Sequence, residues 1–230
     1  MNPSNTQDLH SWNVSVNEAI RIQETLRERI VLKNTTSEFK TIGGGDVGYA
    51  QDRNLLLGAV GVLSFPELEL LDLSRVHGKI PFPYIPGLLS FREGPILIEA
   101  MKKLKVKPDV MIYEGQGIAH PRGCGLASHL GLWFDLPSIG CTKTPLLRGL
   151  ISPDISRGSF EWIEREGEKV GAVLRTREGV KPVFVSPGHR IDLAASIQIV
   201  LAACRRFRIP EPLRMAHRMA RFTKDKVQST

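Results

Sequence analysis

Three acidic residues stand where a carboxylate can do chemistry: Asp46 in the run TIGGGDVGYA, Glu93 in SFREGP, and Glu114 at the end of the apolar run PDVMIYE. The stretch that follows Glu114, GQGIAHPRGCGL, carries glycines at 115, 117, 123 and 125 that let backbone approach a ligand more closely than side chains allow. Clustered carboxylates repel one another unless a cation sits among them, and an all-oxygen donor set suits Mg²⁺ or Mn²⁺. Such a metal activates water and stabilises charge on a phosphate during in-line attack, so these residues admit metal-assisted phosphodiester hydrolysis. They also admit a structural reading, with Glu114 capping a turn or pairing with Arg122 and the other acids in ordinary ion pairs. The triple glycine before Asp46 is not a phosphate loop, because it precedes a strand and no Gly-Lys-Ser/Thr follows.

Strands and helices must position these groups. Ser15 followed by Glu18 fits a capping box, and Ala19, Ile22, Leu26 and Ile30 recur on one face, which predicts a helix over 14–33 packed on a sheet. The runs 41–50, 55–65 and 68–78 predict three consecutive antiparallel strands, the first two joined by a turn at 51–54. Pro81, Pro83 and Pro86 stiffen a loop around Phe82 and Tyr84, whose rings either wedge into a partner or anchor the loop to the core. Pro95 to Leu104 has helical spacing with Glu93 just before it, and Asp109 to Tyr113 is a buried strand that delivers Glu114. A helix through LASHLGLWF follows, then a short strand ending at Lys143.

Further on, 167–177 and 181–190 predict two strands, the first an edge or hairpin arm, and Leu193 to Arg206 predicts an amphipathic helix. After Pro210 and Pro212 a last helix places Arg214, His217 and Arg221 on one face with Arg218 beside them, a positive patch. Three antiparallel strands, a helix and a parallel strand, with acids on the first strand, near the helix and on the fourth strand, match a ribonuclease H-like α/β fold: a mixed central sheet flanked by helices.

With 42% hydrophobic and 24% charged residues, the 230-residue chain buries a core and suits one domain over 1–230, with frayed ends at about 1–13 and 223–230. It has no apolar run long enough to span a bilayer, and MNPSNTQDLH lacks the regions of a signal peptide, so a cytoplasmic protein without membrane contact is expected. Cys124, Cys141 and Cys204 lack paired spacing and read as small buried thiols rather than a disulfide framework or a structural zinc site. The net charge of +7 favours a polyanionic partner. No dimerisation signal is evident, and a monomer without an obligate protein partner is expected.

Six ordered segments, GGGDVGYA, PFPYIPGLLSFREGP, GQGIAHPRGCGLASHLGL, CTKTPL, VSPGHR and RIPEPLRMAH, together resemble the endonuclease V family of deoxyinosine-directed repair nucleases, from about Gln23 to His217. The resemblance implies a ribonuclease H-like fold and a divalent cation, Mg²⁺ with Mn²⁺ as a substitute. It also implies a cut at the second phosphodiester bond 3′ to the altered base, leaving 3′-hydroxyl and 5′-phosphate ends. Asp46 and Glu93 match the family's metal ligands, with Glu114 at the third acidic position. Tyr84 with Ile85 matches a wedge that fills the gap left by an extruded base.

On the same resemblance the backbone around Pro86, Gly87 and Leu88 and around Gly115, Gln116, Gly117 and Gly125 lines a hypoxanthine pocket. His120 is expected near the nucleic acid, Lys143 near the scissile phosphate or leaving group, and His217 near the metal-bound water; loop fixing and solvation are the plain alternatives for the first two. This chain departs from the family at Glu114, where the pattern has Asp. The longer arm moves the carboxylate by about 1.5 Å, roughly one C–C bond. A shifted backbone, a preference moved toward Mn²⁺ and weakened catalysis with binding retained all remain open. The partner implied is deoxyinosine in DNA, with inosine in RNA or a catalytically weak lesion-binding form as the alternatives.

Overall fold

The computed structural model describes residues 9–34, 38–50 and 53–221. One eight-stranded sheet runs in the order β3-β2-β1-β4-β5-β8-β7-β6. It is built from β1 (Thr41–Ala50), β2 (Leu55–Ser64), β3 (Leu70–Lys79), β4 (Val110–Glu114), β5 (Ser138–Thr142), β6 (Phe160–Arg165), β7 (Glu168–Leu174) and β8 (Val183–His189). β1, β2 and β3 are antiparallel, β4 and β5 continue from β1 in parallel, and β8, β7 and β6 complete the sheet antiparallel. This mixed sheet, flanked by helices, is the ribonuclease H-like arrangement that the order of acids and elements suggests.

The period of two in a strand explains why the centre of the sheet is so apolar. Val110 and Ile112 of β4 point to the face covered by α4 (Leu193–Ala202) and α5 (Glu211–Met219), whereas Met111 and Tyr113 point to the face covered by α2 (Leu89–Lys103) and α3 (Leu126–Phe134). A strand covered on both sides has no solvent-facing position until its end, where Glu114 lies.

α1 (Val16–Arg27) has the expected capping box, in which the Ser15 hydroxyl accepts from the Glu18 amide and the Glu18 carboxylate accepts from the Ser15 amide. It does not pack on the sheet. Ala19, Gln23 and Leu26 are buried instead against the proline loop and α3, among Phe82, Leu88, Phe91, Cys124 and Leu132. α2 begins at Leu89 rather than Pro95, so Glu93 lies inside the helix and not before it. The missing N–H of Pro95 removes one helix bond, but burial of Phe91, Leu97, Ile98 and Met101 along the helix offsets it.

β6 escapes the sequence pattern because Ile163 alone is fully buried along it. Its turn to β7 uses positive φ at Glu166 (55°) and Gly167 (82°), a tight hairpin geometry that Asn-Gly would have announced and Glu-Gly does not. β7 is therefore a hairpin arm with β6 outside it as the edge. The predicted turn at 51–54 lies partly outside the described residues, as do the ends at 1–8 and 222–230. Residues 9–13 are not frayed, because Trp12 packs on Phe91, His129 and Trp133. The three cysteines are buried and unpaired. Among the described residues no helix is long and apolar enough to cross a membrane.

The same aromatic box holds a histidine pair, with His10 Nε2 2.6 Å from His129 Nε2. Burial lowers the pKa of both rings. Below pH ~6.5 the unfolded chain binds protons there that the folded chain refuses, so stability is full above that pH and falls as the pH drops, for His129 by up to about 1.4 kcal/mol per unit. Urea midpoints at pH 7.5 and pH 5 are expected to show this fall, and His129→Gln is expected to flatten it.

Candidate active site

The parallel register ends with Gly45 opposite Tyr113, which sets Asp46 beside Glu114 on the α5 face at the end of β4. Glu93 reaches the same edge from α2 and accepts a 2.5 Å hydrogen bond from the Tyr49 hydroxyl of β1. The three carboxylates feel one another. Burial drives the Glu93 carboxyl up to about 8, with the charges of Asp46 and Glu114 adding to the rise and the Tyr49 bond and Arg92 opposing it. Burial likewise raises Glu114, against the pull of Lys143 and with a push from Asp46.

Two of the acids have protein partners of their own. Glu114 accepts from Thr142 Oγ1 (3.3 Å) and lies 3.8 Å from Lys143 Nζ, while Glu93 is turned to Tyr49. Among the described residues no group of three or more His, Cys, Asp or Glu side chains is already disposed to hold a metal ion. The donors are nevertheless all carboxylate oxygens, with the charge of Asp46 raising the pKa of both Glu93 and Glu114, a donor set that suits a hard divalent cation.

Asp46 is fixed from both sides. Its Oδ1 accepts from the Val47 amide (2.8 Å), and its Oδ2 lies 2.7 Å from Nδ1 of His217 on α5. The glycines of β1 make that second contact possible: a Cβ on Gly44 would stand 2.2 Å from the Pro212 backbone, and one on Gly48 would stand 1.8 Å from the Ala220 carbonyl oxygen. The triple-glycine segment is thus part of a seat for α5. Gly44→Ala is expected to cost about 1–3 kcal/mol by overpacking and to detach His217 from Asp46. The checks are a urea midpoint and the NMR shift of the His217 ring. The positive patch foreseen on this helix is partly neutralised, since Arg214 pairs with Glu211 and stacks 3.6 Å over Phe207. Arg221 Nη2 lies 3.4 Å from His217 Nε2.

Beside the acids is a cavity of about 230 Å³, smaller than a drug-sized site of roughly 300–1,000 Å³. Tyr84, Ile85, Pro86 and Gly87 form one wall, Gly115, Gln116, His120, Gly125 and Leu126 a second, Thr142, Thr144, Pro145 and Leu146 a third, with Leu89 and Ser90 behind. The two readings of the proline loop divide between its rings: Phe82 is 6% exposed and anchors the loop, whereas Tyr84 is 71% exposed and stands free at the rim. His120 is buried, with Nε2 2.9 Å from the Gly87 carbonyl oxygen and Nδ1 accepting from the Arg122 amide (3.1 Å). Burial, helped by Arg122 and Arg165, holds its pKa down to about 4, so the ring is a neutral tautomer donating through Nε2.

Of the residues singled out from the sequence, Leu88 and Gly117 do not line this cavity. Leu88 is buried under the proline loop, and Gly117 packs against the Pro187 carbonyl while its amide donates to Ser186 Oγ. Arg122 does not pair with Glu114; it bonds to Gln23 and Gly87. Sequence reasoning missed Tyr49, Ser90, Thr142 and Thr144. Tyr49, three residues after Asp46, points to the opposite face of β1 and meets the acids only through Glu93 on α2, and nothing in the chain marks Ser90, whose buried hydroxyl has no hydrogen-bond partner.

Comparison with known proteins gives concordant matches. A family model described as Endonuclease V matches residues 24–218. An Endonuclease V of Dictyoglomus turgidum is 48% identical over 200 residues, covering 87% of each chain. Among solved structures, an Endonuclease V of Streptomyces avermitilis superposes with a TM-score of 0.86 at 38% identity, covering 91% of this chain and 93% of that one. An Endonuclease V of Ciona intestinalis, in complex with a 23mer DNA containing an inosine followed by a ribo-adenosine, superposes with a TM-score of 0.78 at 30% identity, covering 89% of this chain and 95% of that one.

Proposed function

The chain belongs to the endonuclease V family of nucleases, and from that premise we propose that it nicks DNA at the second phosphodiester bond 3′ to deoxyinosine, leaving 3′-hydroxyl and 5′-phosphate ends. One observation carries the reading: the carboxylate edge and the cavity share Thr142, whose hydroxyl donates to Glu114 and whose side lines the cavity. A nucleotide turned out of the duplex into the cavity would bring its flanking phosphates toward Asp46, Glu93 and Glu114, and the family's 3′ cut fits that proximity. The neighbour bound to inosine-containing DNA supports the same partner for this chain.

Tyr84 at the rim supplies the apolar surface that offsets the few kcal/mol lost when a base leaves the stack. The cavity walls read the base edge, with Gly87, Gly115 and Gly125 as the places where backbone comes close to it. Asp46, Glu93 and Glu114 would hold Mg²⁺, with Mn²⁺ as a substitute. The cation would supply Lewis-acid stabilisation of phosphate charge and an activated water. His217 donates Nδ1–H to Asp46, and its Nε2 accepts from Arg221 at 3.4 Å, a contact that must open before that nitrogen can take a proton from water. Lys143, beside Glu114, places positive charge where the leaving oxygen develops its negative charge.

An end-labelled duplex with one deoxyinosine tests this proposal. The expected outcome is a single nick on the 3′ side in Mg²⁺, none after chelation, and none in a matched duplex containing adenine. The relative's bound strand, with a ribo-adenosine after the inosine, favours a second reading in which inosine in RNA is also cut. Paired oligonucleotides differing only in the 2′-hydroxyl next to inosine separate the two readings.

A further inference from the structure

Gly87 turns the proline loop at φ +81°, and its carbonyl oxygen is the meeting point of three donors from elsewhere in the chain. Arg122 Nη2 donates to it at 2.7 Å, His120 Nε2 at 2.9 Å and Gln23 Nε2 at 3.0 Å. A carbonyl oxygen has two lone pairs, so this one is saturated and has none left for a ligand. Its role is to be held.

Gln23 is the unexpected member. It lies on α1, 0% exposed, far in sequence from either wall of the cavity. Its amide nitrogen donates to Gly87 O in one wall and, also at 3.0 Å, to Cys124 O at the end of the other, and its amide oxygen accepts from Arg122 Nε at 2.8 Å. A single buried amide thus bridges the two walls, in a setting where hydrogen bonds are strong and their loss costly.

We infer that Gln23 and Arg122 are positioning residues that set the separation of the Tyr84–Gly87 and Gly115–Gly125 walls, making α1 a determinant of which base the cavity accepts. This rests on the proposed reading of the cavity as a base pocket. Neither side chain lines the cavity, so both act through Gly87 and the 120–125 loop. Arg122 spans Gly87 O and Gln23 Oε1 with two nitrogens of its planar fork, which a lysine cannot do.

The test uses Gln23→Ala, Gln23→Glu and Arg122→Lys in the full chain, with binding and steady-state nicking of a deoxyinosine duplex and its adenine control. Hydrogen exchange on the free proteins supplies a readout that needs no nucleic acid. The expected result is a fall of about tenfold or more in the deoxyinosine-to-adenine binding ratio, a displacement on the order of 1 Å being able to cost that much. It should appear as a raised KM with kcat changed less, together with faster exchange confined to 84–88 and 117–125. Gln23→Glu keeps the size and the Arg122 contact but turns an acceptor toward two carbonyl oxygens, so it should fail to rescue. Wild-type binding ratios in Gln23→Ala and Arg122→Lys, or kcat and KM damaged together with exchange raised throughout the chain, would overturn the inference. A wild-type protein with no preference for the deoxyinosine duplex would instead sink the base-pocket reading, and the specificity role with it.

Discussion

Asp46→Asn is expected to lower the rate of nicking beside deoxyinosine by about 10²–10³-fold or more, on the scale of losing one preorganised electrostatic group in an active site. Asp46 has more roles than its two fellow acids: it follows the last β1–β4 pair beside Glu114, adds to the charge around Glu93 and Glu114, and holds His217 through a 2.7 Å contact. Asn keeps the shape and an oxygen for the Val47 amide, so the fold should persist, while the charge that attracts a cation is gone. Single-turnover nicking in saturating Mg²⁺, beside a thermal melt with and without Mg²⁺, checks both halves. Wild-type protein should melt higher with the cation, and the variant should lose that increment. Nicking at the wild-type rate would remove Asp46 from the proposed site.

Glu114→Asp is expected to raise the Mg²⁺-supported rate by about tenfold or more, because catalytic geometry displaced by about 1 Å can cost two orders of magnitude. The ladder bears on how the longer acid is accommodated. β4 pairs with β1 as far as Tyr113 and with β5 through Glu114 opposite Cys141, with no bulge in either ladder. The extra methylene is taken up by the side chain, which leans toward Thr142 and Lys143. Asp cannot reach as far as these partners, and its carboxylate returns toward Asp46. The gain should be smaller in Mn²⁺, whose coordination is more forgiving. Equal rates for wild type and variant would show that Glu114 is competent as it stands, and an absence of nicking by both would defeat the endonuclease proposal.

Much of this architecture was legible because its signals are local. The capping box of α1, the apolar run of β4 and the helical spacing through LASHLGLWF each lie within one element; β4 and α3 formed where the pattern placed them, and α1 starts at its capping box but ends at Arg27 rather than running to 33. The failures were of two physical kinds. Helix boundaries moved where tertiary burial outweighed a local breaker, as at Pro95 inside α2. β6 vanished from the pattern because an edge strand exposes most of its residues and has no alternation to detect.

The sequence by itself determined the order of the elements apart from β6, the acids on the first and fourth strands, the proline loop with its aromatic pair, and the family that these segments resemble. Tertiary structure alone decided which groups meet. The contacts of Asp46 with His217, of Gln23 with Gly87 and Cys124, and of Glu93 with Tyr49 join residues 171, 64, 101 and 44 positions apart. The physical reason is that periodicity and propensity act over a few residues, whereas such contacts depend on register and on how closely elements approach. At Gly44 and Gly48 that approach turns on the absence of a single carbon, which no local pattern reveals until α5 is seen lying against it.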